Sequence, residues 1–326
     1  MFLEYEKAES EFIALISCDD LDGKLLVDPH IADTFNAKIH SALKKSLADD
    51  DESAHLFVQR CLYKINRLKL FWDDDLKNYS NENSRFLFNL RSDIENQWSA
   101  WEEKQIVIDH PTDVGSALHD RVQEDLNPEL SEDERYVRDH VSDAGYRRLL
   151  AIASLDGLVE ASQLSRVLGG ASSEVQLMLT RILWEEYGSG KLERKHSTFF
   201  AAMMDGMGLD SRPEAYFDLV PWEVLSNINH SFMVSEQKRK FLRYIGGLLK
   251  FPWRGGRHYL GGIRELSDER SNRARFARDV RRKQGEMANR DSFGLLLWKF
   301  HRRSRVAHNA CHHRGRAGSF VFWLFE

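Results

Sequence analysis

Apolar residues recur at helical spacing through the first 250 residues of this 326-residue chain, and residues that break helices are scarce there. The whole chain holds six prolines, which suits long helices because proline removes a backbone donor from a helix interior. Strand-like alternation is rare, and Gln105–Asp109 is the one short candidate. The pattern therefore predicts an all-α protein. The predicted helices cover Ile31–Lys45, Ala54–Leu70, Ser84–Glu103, Asp143–Leu168, Ser172–Tyr187, Leu192–Met207, Trp222–Ser231 and Ser235–Leu249.

The composition of the chain indicates the cellular compartment in which the protein works. No run of eighteen apolar residues is present, so we expect no transmembrane helix and no membrane partner. The acidic N-terminus, MFLEYEKAESEF, lacks the basic and apolar parts of a secretory signal. Three cysteines, Cys18, Cys61 and Cys311, are odd in number and widely spaced, which is typical of a reducing compartment. These features predict a cytoplasmic protein.

The C-terminal region differs in charge from the rest. Residues 254–316 hold 17 Lys and Arg, of which 15 are Arg, against 6 Asp and Glu. Three interpretations stay open: a basic region that is solvated or packs on the acidic body, a product of translation in the wrong reading frame, and a nucleic-acid-binding arm. The region has no groove-reading motif, aromatic interleaving or repeat, so we do not expect a nucleic-acid partner.

These observations divide the chain into three parts. Residues 1–109 form an acidic helical extension, residues 110–250 form a helical core, and residues 251–326 form an Arg-rich, irregular tail. We expect the tail to be disordered or out of frame, because Pro252, several glycines and dense arginine leave few apolar residues to bury.

A carboxylate lies on an apolar helical face in the stretch WEEYGSGKLERKHSTFF, residues 184–200. Glu186 shares its predicted face with Leu179 and Leu183, whereas Glu185 lies about 100° around the helix. Burying a carboxylate is costly unless it is paired or bound to a cation. The pattern thus favours Glu186 over Glu185 as a functional residue, with Gly188 to Gly190 loosening the helix end.

An imidazole begins the next apolar stripe. His196 shares its face with Phe200 and Met204, and upstream Glu160 shares a face with Leu164 and Val167. Imidazole and carboxylate groups are both metal ligands. Any one of these residues alone is more often structural than a ligand, and His230 is interpreted as structural or supporting.

The segment from about Gly145 to Leu249 resembles the iron-containing redox enzyme family, the heme-oxygenase-like diiron oxidases. The resemblance rests on the EEYG motif, on RPEAYFDLVPWEVL and on INHSFMVSEQKRKFLRYIGGLL. It implies a heme-oxygenase-like helical bundle in which Glu186 and His196, ten positions apart, hold the first-helix ligand positions. It also implies that Glu160 is the upstream Glu that joins the metal in some members.

The same comparison shows departures from the family pattern. Pro252 stands where a second-helix Glu ligand belongs, and Arg305 replaces the acid between His301 and His308 in the third-helix motif. These departures predict an incomplete bundle, with His301 and His308 as substitute ligands. The family holds two iron ions, and for this chain two, one or none stay open.

The resemblance implies an oxidoreductase that uses non-heme iron and dioxygen on a small amine-like or amino-acid-like molecule. Whether the chain is an enzyme stays open, because the second-helix and third-helix ligands are not recognisable. The alternative is a non-catalytic helical remnant that binds a partner through its basic tail. Self-association into a homo-oligomer is compatible with both.

Overall fold

The computed structural model describes residues 2–70, 76–105, 113, 115–117, 132–159, 161–170 and 174–249. Every regular element in these ranges is helical, which confirms the all-α prediction. No helix among them is both long and apolar enough to cross a membrane. The predictions for Glu160, Pro252, His301, His308 and the whole Arg-rich tail concern residues outside these ranges.

The α-helices follow one another through the described ranges and are joined in places by short 3₁₀ turns. They are α1 (Phe2–Ile16), α2 (Leu21–Val27), α3 (Pro29–Asp49), α4 (Glu52–Arg67), α5 (Arg85–Gln105), α6 (Glu132–Asp139), α7 (Asp143–Gly157), α8 (Ser162–Ser165), α9 (Glu174–Glu186), α10 (His196–Gly206), α11 (Trp222–Glu236) and α12 (Phe241–Leu249).

The chain divides into two compact units. The described residues of the first unit come from 1–107 and 220–233, and those of the second come from 108–219 and from 234 onward. The predicted boundaries at residues 109 and 250 stay predictions.

Helices α1, α3 and α4 enclose the core of the first unit. Phe12 and Phe35 are almost fully buried and stack with their ring centroids 4.8 Å apart, and Phe57 meets Phe35 edge-on. Asp51 starts α4 by accepting a hydrogen bond from the Ala54 amide at 2.8 Å, as an N-cap residue does. Apolar burial and helix capping thus act together in this unit.

The N-terminal part of α11 belongs to the first unit. Asn229 is buried, and its Nδ2 donates to both the backbone oxygen and the Oε1 of Gln59 at 2.9 Å. Asn66 Nδ2 in turn donates to Asn229 Oδ1 at 2.9 Å. These buried bonds attach residues 220–233 to α4, because breaking them would leave polar groups unsatisfied in the core.

In the second unit α7 packs against α10. A Cβ on Gly157 would lie 2.7 Å from the Phe200 ring, so only glycine permits this approach. Leu150 and Met204 have no exposed surface. The contact between the two helices fixes α10, the helix on which His196 lies.

Several predicted helices are shorter in the structure. The prediction of one helix over Asp143–Leu168 was wrong, since α7 ends at Gly157 and Ala161 adopts a left-handed conformation with φ +69°. Residues 192–194 form a 3₁₀ turn before α10 begins at His196. The predicted helix Ser235–Leu249 is divided between the end of α11, a 3₁₀ turn and α12.

Candidate metal centre

Two helix ends and a tight link bring Glu186 and His196 together. Glu186 is the last residue of α9 and His196 is the first residue of α10. Residues 188–190 all have positive φ, and two 3₁₀ turns follow one another through the link. The chain therefore reverses within a few residues, so that the two side chains meet.

Gly188 makes this reversal possible. It is buried, its φ is +64°, and a Cβ on it would lie 2.5 Å from the carbonyl carbon of Arg194. α9 ends at Glu186, just before the predicted glycine break, and Gly188 in addition lies in a tight approach to Arg194. Glycine is needed here because only a residue without a Cβ lets the two ends of the link pass this closely.

The side chains of Glu186 and His196 are in contact. His196 Nδ1 lies 2.6 Å from Glu186 Oε2, and the side chains are 31% and 12% exposed respectively. Oε2 is buried and accepts no aligned hydrogen bond from any described residue. Buried carboxylate oxygens normally accept at least one aligned hydrogen bond, so Oε2 keeps unused acceptor capacity.

Helix electrostatics do not explain this placement. The C-terminus of a helix carries partial negative charge and its N-terminus partial positive charge. Glu186 puts a carboxylate at the C-terminus of α9, and His196 puts a basic group at the N-terminus of α10. Each dipole opposes the residue that stands there, so helix stability alone would not favour either one.

Glu185 points elsewhere, in agreement with the helical spacing. Its side chain is 50% exposed and pairs with Arg181 at 3.3 Å, one turn back along α9. The apolar residues of α9 differ in burial. Leu179 is 4% exposed, whereas Val175 is 44% exposed. The middle of α9, at Leu179, therefore faces the interior, whereas the start of the helix, at Val175, does not.

Iron fits the donor types of this pair. Iron accepts carboxylate oxygen and imidazole nitrogen. Ligand atoms bound to one metal ion at about 2 Å lie roughly 3 Å from each other, close to the observed separation of Nδ1 and Oε2. In the part of the chain that the structure describes, no group of three or more His, Cys, Asp or Glu residues is arranged so that it could hold a metal ion. Among the described residues, Glu186 and His196 are therefore the candidate ligands that lie in contact.

A second polar cluster lies in the first unit and was missed from the sequence. His55 is fully buried, stacks on Trp222 at 4.1 Å and places Nε2 3.3 Å from Asp50 Oδ1. Burial lowers the pKa of His55 and raises the pKa of nearby Glu223 to about 7, with the charges of Glu52 and Asp50 adding to the latter. No local spacing links residues so far apart along the chain.

His230 is also part of the first unit. Its Nδ1 lies 3.2 Å from Glu102 Oε2, and Glu102 Oε1 accepts a hydrogen bond from Trp98 Nε1 at 2.9 Å. This buried carboxylate is satisfied on both oxygens, unlike that of Glu186. The arrangement gives His230 a structural role in attaching α11 to α5.

Comparison with known proteins supports the resemblance. A family model described as iron-containing redox enzyme matches residues 147–269. The resemblance is therefore confirmed, together with the heme-oxygenase-like fold class. The match ends at residue 269, beyond Leu249, where the resemblance carried by the sequence motifs ends.

A curated protein also resembles part of the chain. It is a nitrosourea synthase from Streptomyces achromogenes subsp. streptozoticus, 30% identical over 93 residues. That stretch covers 28% of this chain and 20% of the relative, so the similarity spans about a fifth of the relative's length.

Proposed function

We propose that this protein is an iron-dependent oxidoreductase that uses a non-heme iron site and dioxygen to oxidise a small amine-like or amino-acid-like molecule. Glu186 and His196 are ligands, Glu160 is a third, and His301 and His308 complete the set in place of the family's residues. The observation that carries the proposal is the 2.6 Å contact of the buried Glu186 Oε2 with His196 Nδ1, in which Oε2 accepts no aligned hydrogen bond from a described residue.

Each residue has a definite task in this proposal. A bound iron ion would supply a redox-active centre with open positions for dioxygen. Glu186 would supply negative charge that stabilises the oxidised metal, and His196 would supply a nitrogen donor. Phe200 and Met204, one and two turns beyond His196, are buried and keep water away from the base of the site.

The substrate class has separate support. The matched relative is named for a nitrosourea, a nitrogen-rich product, which suits a substrate with an oxidisable nitrogen.

The proposed compartment has support of its own. Cys18 and Cys61 are free thiols, which supports a reducing, cytoplasmic setting.

The reaction is tested by dioxygen uptake. The full chain is loaded anaerobically with iron(II) and exposed to dioxygen with a panel of amines and amino acids, and products are followed by mass spectrometry. We expect one class of amine to accelerate dioxygen uptake and to gain oxygen. Glu186→Gln should abolish this reaction, whereas Glu185→Gln should retain it. Uptake that no amine accelerates, or that survives Glu186→Gln, would contradict the proposal.

A further inference from the structure

The link between Glu186 and His196 contains backbone hydrogen bonds of its own. The Gly190 amide donates to the Tyr187 carbonyl at 3.1 Å, and the Lys195 amide donates to the Leu192 carbonyl at 3.1 Å. These bonds shape each half of the link. They do not by themselves join its two ends, where the candidate ligands stand.

A side-chain contact joins those ends. Lys195 Nζ lies 4.7 Å from the centroid of the Tyr187 ring. A lysine ammonium within about 6 Å of an aromatic face is attracted by the ring quadrupole. Tyr187 directly follows Glu186, and Lys195 directly precedes His196. The contact therefore spans the link at the two positions adjoining the ligands.

The same contact gives the Lys195 ammonium a partner other than the ligand carboxylate. Glu186 Oε2 contacts His196 Nδ1, and no described lysine or arginine pairs with Glu186. An ammonium that paired with Glu186 would compete with a metal ion for Oε2. Holding the cation on the Tyr187 ring keeps that oxygen available.

We propose that Tyr187 and Lys195 are positioning residues, whose cation–π contact holds Glu186 against His196 and keeps the Lys195 ammonium off the metal-binding carboxylate. This inference rests on the proposed function, because it gives a role to residues that flank the same site. It concerns ligand geometry and assigns neither residue a contact with substrate.

A double-mutant cycle tests the contact without metal. Tyr187→Leu, Lys195→Met and the double variant are made in the full chain, and their thermal unfolding midpoints are compared with wild type. We expect the midpoint of the double variant to fall by less than the sum of the two single losses. Additive losses would overturn the proposal whether or not the protein binds iron.

Iron(II) affinity then tests the positioning role. Lys195→Met should weaken iron(II) binding about 10- to 100-fold, the usual effect of removing a residue that orients a ligand. Lys195→Arg keeps a cation for the ring and should restore most of the affinity. Lys191→Met, an exposed lysine of the same link, serves as the control and should bind like wild type.

The outcomes separate the two proposals. If wild type binds iron and Lys195→Met binds it with unchanged affinity, the positioning role is overturned and the proposed function is left intact. Wild type that binds no iron would refute the proposed function and, with it, the ligand-positioning role.

Discussion

Glu223 is an acid whose pKa the fold raises. Its Oε2 is buried and has no hydrogen-bond partner among the described residues. Burial is the main cause that raises the pKa of Glu223 from 4.5 to about 7, and the charges of Glu52 and Asp50 act in the same direction. Ionisation would put a further negative charge beside these two acids.

This raised pKa predicts how stability depends on pH. Between about pH 4.5 and 7 the folded chain keeps the Glu223 proton that the unfolded chain releases, so the free energy of unfolding falls as pH rises. Glu223→Gln cannot ionise and should be more stable than wild type above about pH 7, by at most about 3 kcal/mol. The gain should vanish toward pH 4.5. Urea unfolding across this range is the measurement.

A control separates Glu223 from the opposing effect of His55. Burial lowers the pKa of His55 below the ordinary histidine value of 6.5. As pH drops below 6.5, the unfolded chain takes up a proton at His55 that the folded chain does not, so the free energy of unfolding falls. His55 is present in both proteins and largely cancels in the difference. Exposed Glu185→Gln should give no pH-dependent gain, and an equal gain from it would contradict the assignment to Glu223.

At the residue scale, the spacing of residues along the sequence predicted the side-chain directions that are set within a single helix. The separation of Glu185 from Glu186 followed from the 100° step per residue, and the structure places Glu185 toward solvent. Glu223 was missed because its raised pKa comes mainly from burial and secondarily from the charges of Glu52 and Asp50, which lie far away along the chain. No pattern around Glu223 itself carries that information.

At the scale of elements, the turn between α9 and α10 depends on one glycine. Gly188→Ala should destabilise the second unit by about 1–3 kcal/mol, because its left-handed backbone and its contact with Arg194 both oppose a methyl group. Thermal unfolding measures the loss. Gly169→Ala is the control, since a Cβ there would meet nothing within 4 Å. Equal effects at both positions would show that the turn is not tightly packed.

Helix existence was predicted well at this scale, and helix ends less well. Apolar periodicity does not show where a helix must stop to make room for another. Gly157 sits among helical residues in the sequence, and its importance lies in the Phe200 ring against it. The helix was therefore predicted to continue to Leu168, whereas the chain turns at Ala161.

At the scale of the whole molecule, Asn229 connects distant parts of the chain. Asn229→Ala should lower the free energy of unfolding of the first unit by about 1–3 kcal/mol, because Gln59 and Asn66 would lose buried partners. Urea unfolding followed by tryptophan fluorescence reports the loss, since Trp98 and Trp222 lie in this unit. Half-buried Asn227→Ala should cost much less, and a similar loss from both would contradict this account.

The sequence pattern alone could not show that residues 220–233 belong with the N-terminal part of the chain. The resemblance placed them in the helical core, and composition gave no reason to separate them. Their grouping depends on contacts such as Asn66 with Asn229, which join residues 163 positions apart. The Glu186–His196 pair was predictable because its partners stand ten positions apart in one recognisable segment.

Iron content tests the central claim most directly. The full chain, purified after expression with added iron, is measured for iron per chain by elemental analysis, beside Glu186→Ala, His196→Ala and the control Glu185→Ala. The account predicts at least one iron per chain in wild type and in Glu185→Ala, with near-complete loss in the other two. Iron-free wild type, or iron that survives both substitutions, would contradict it.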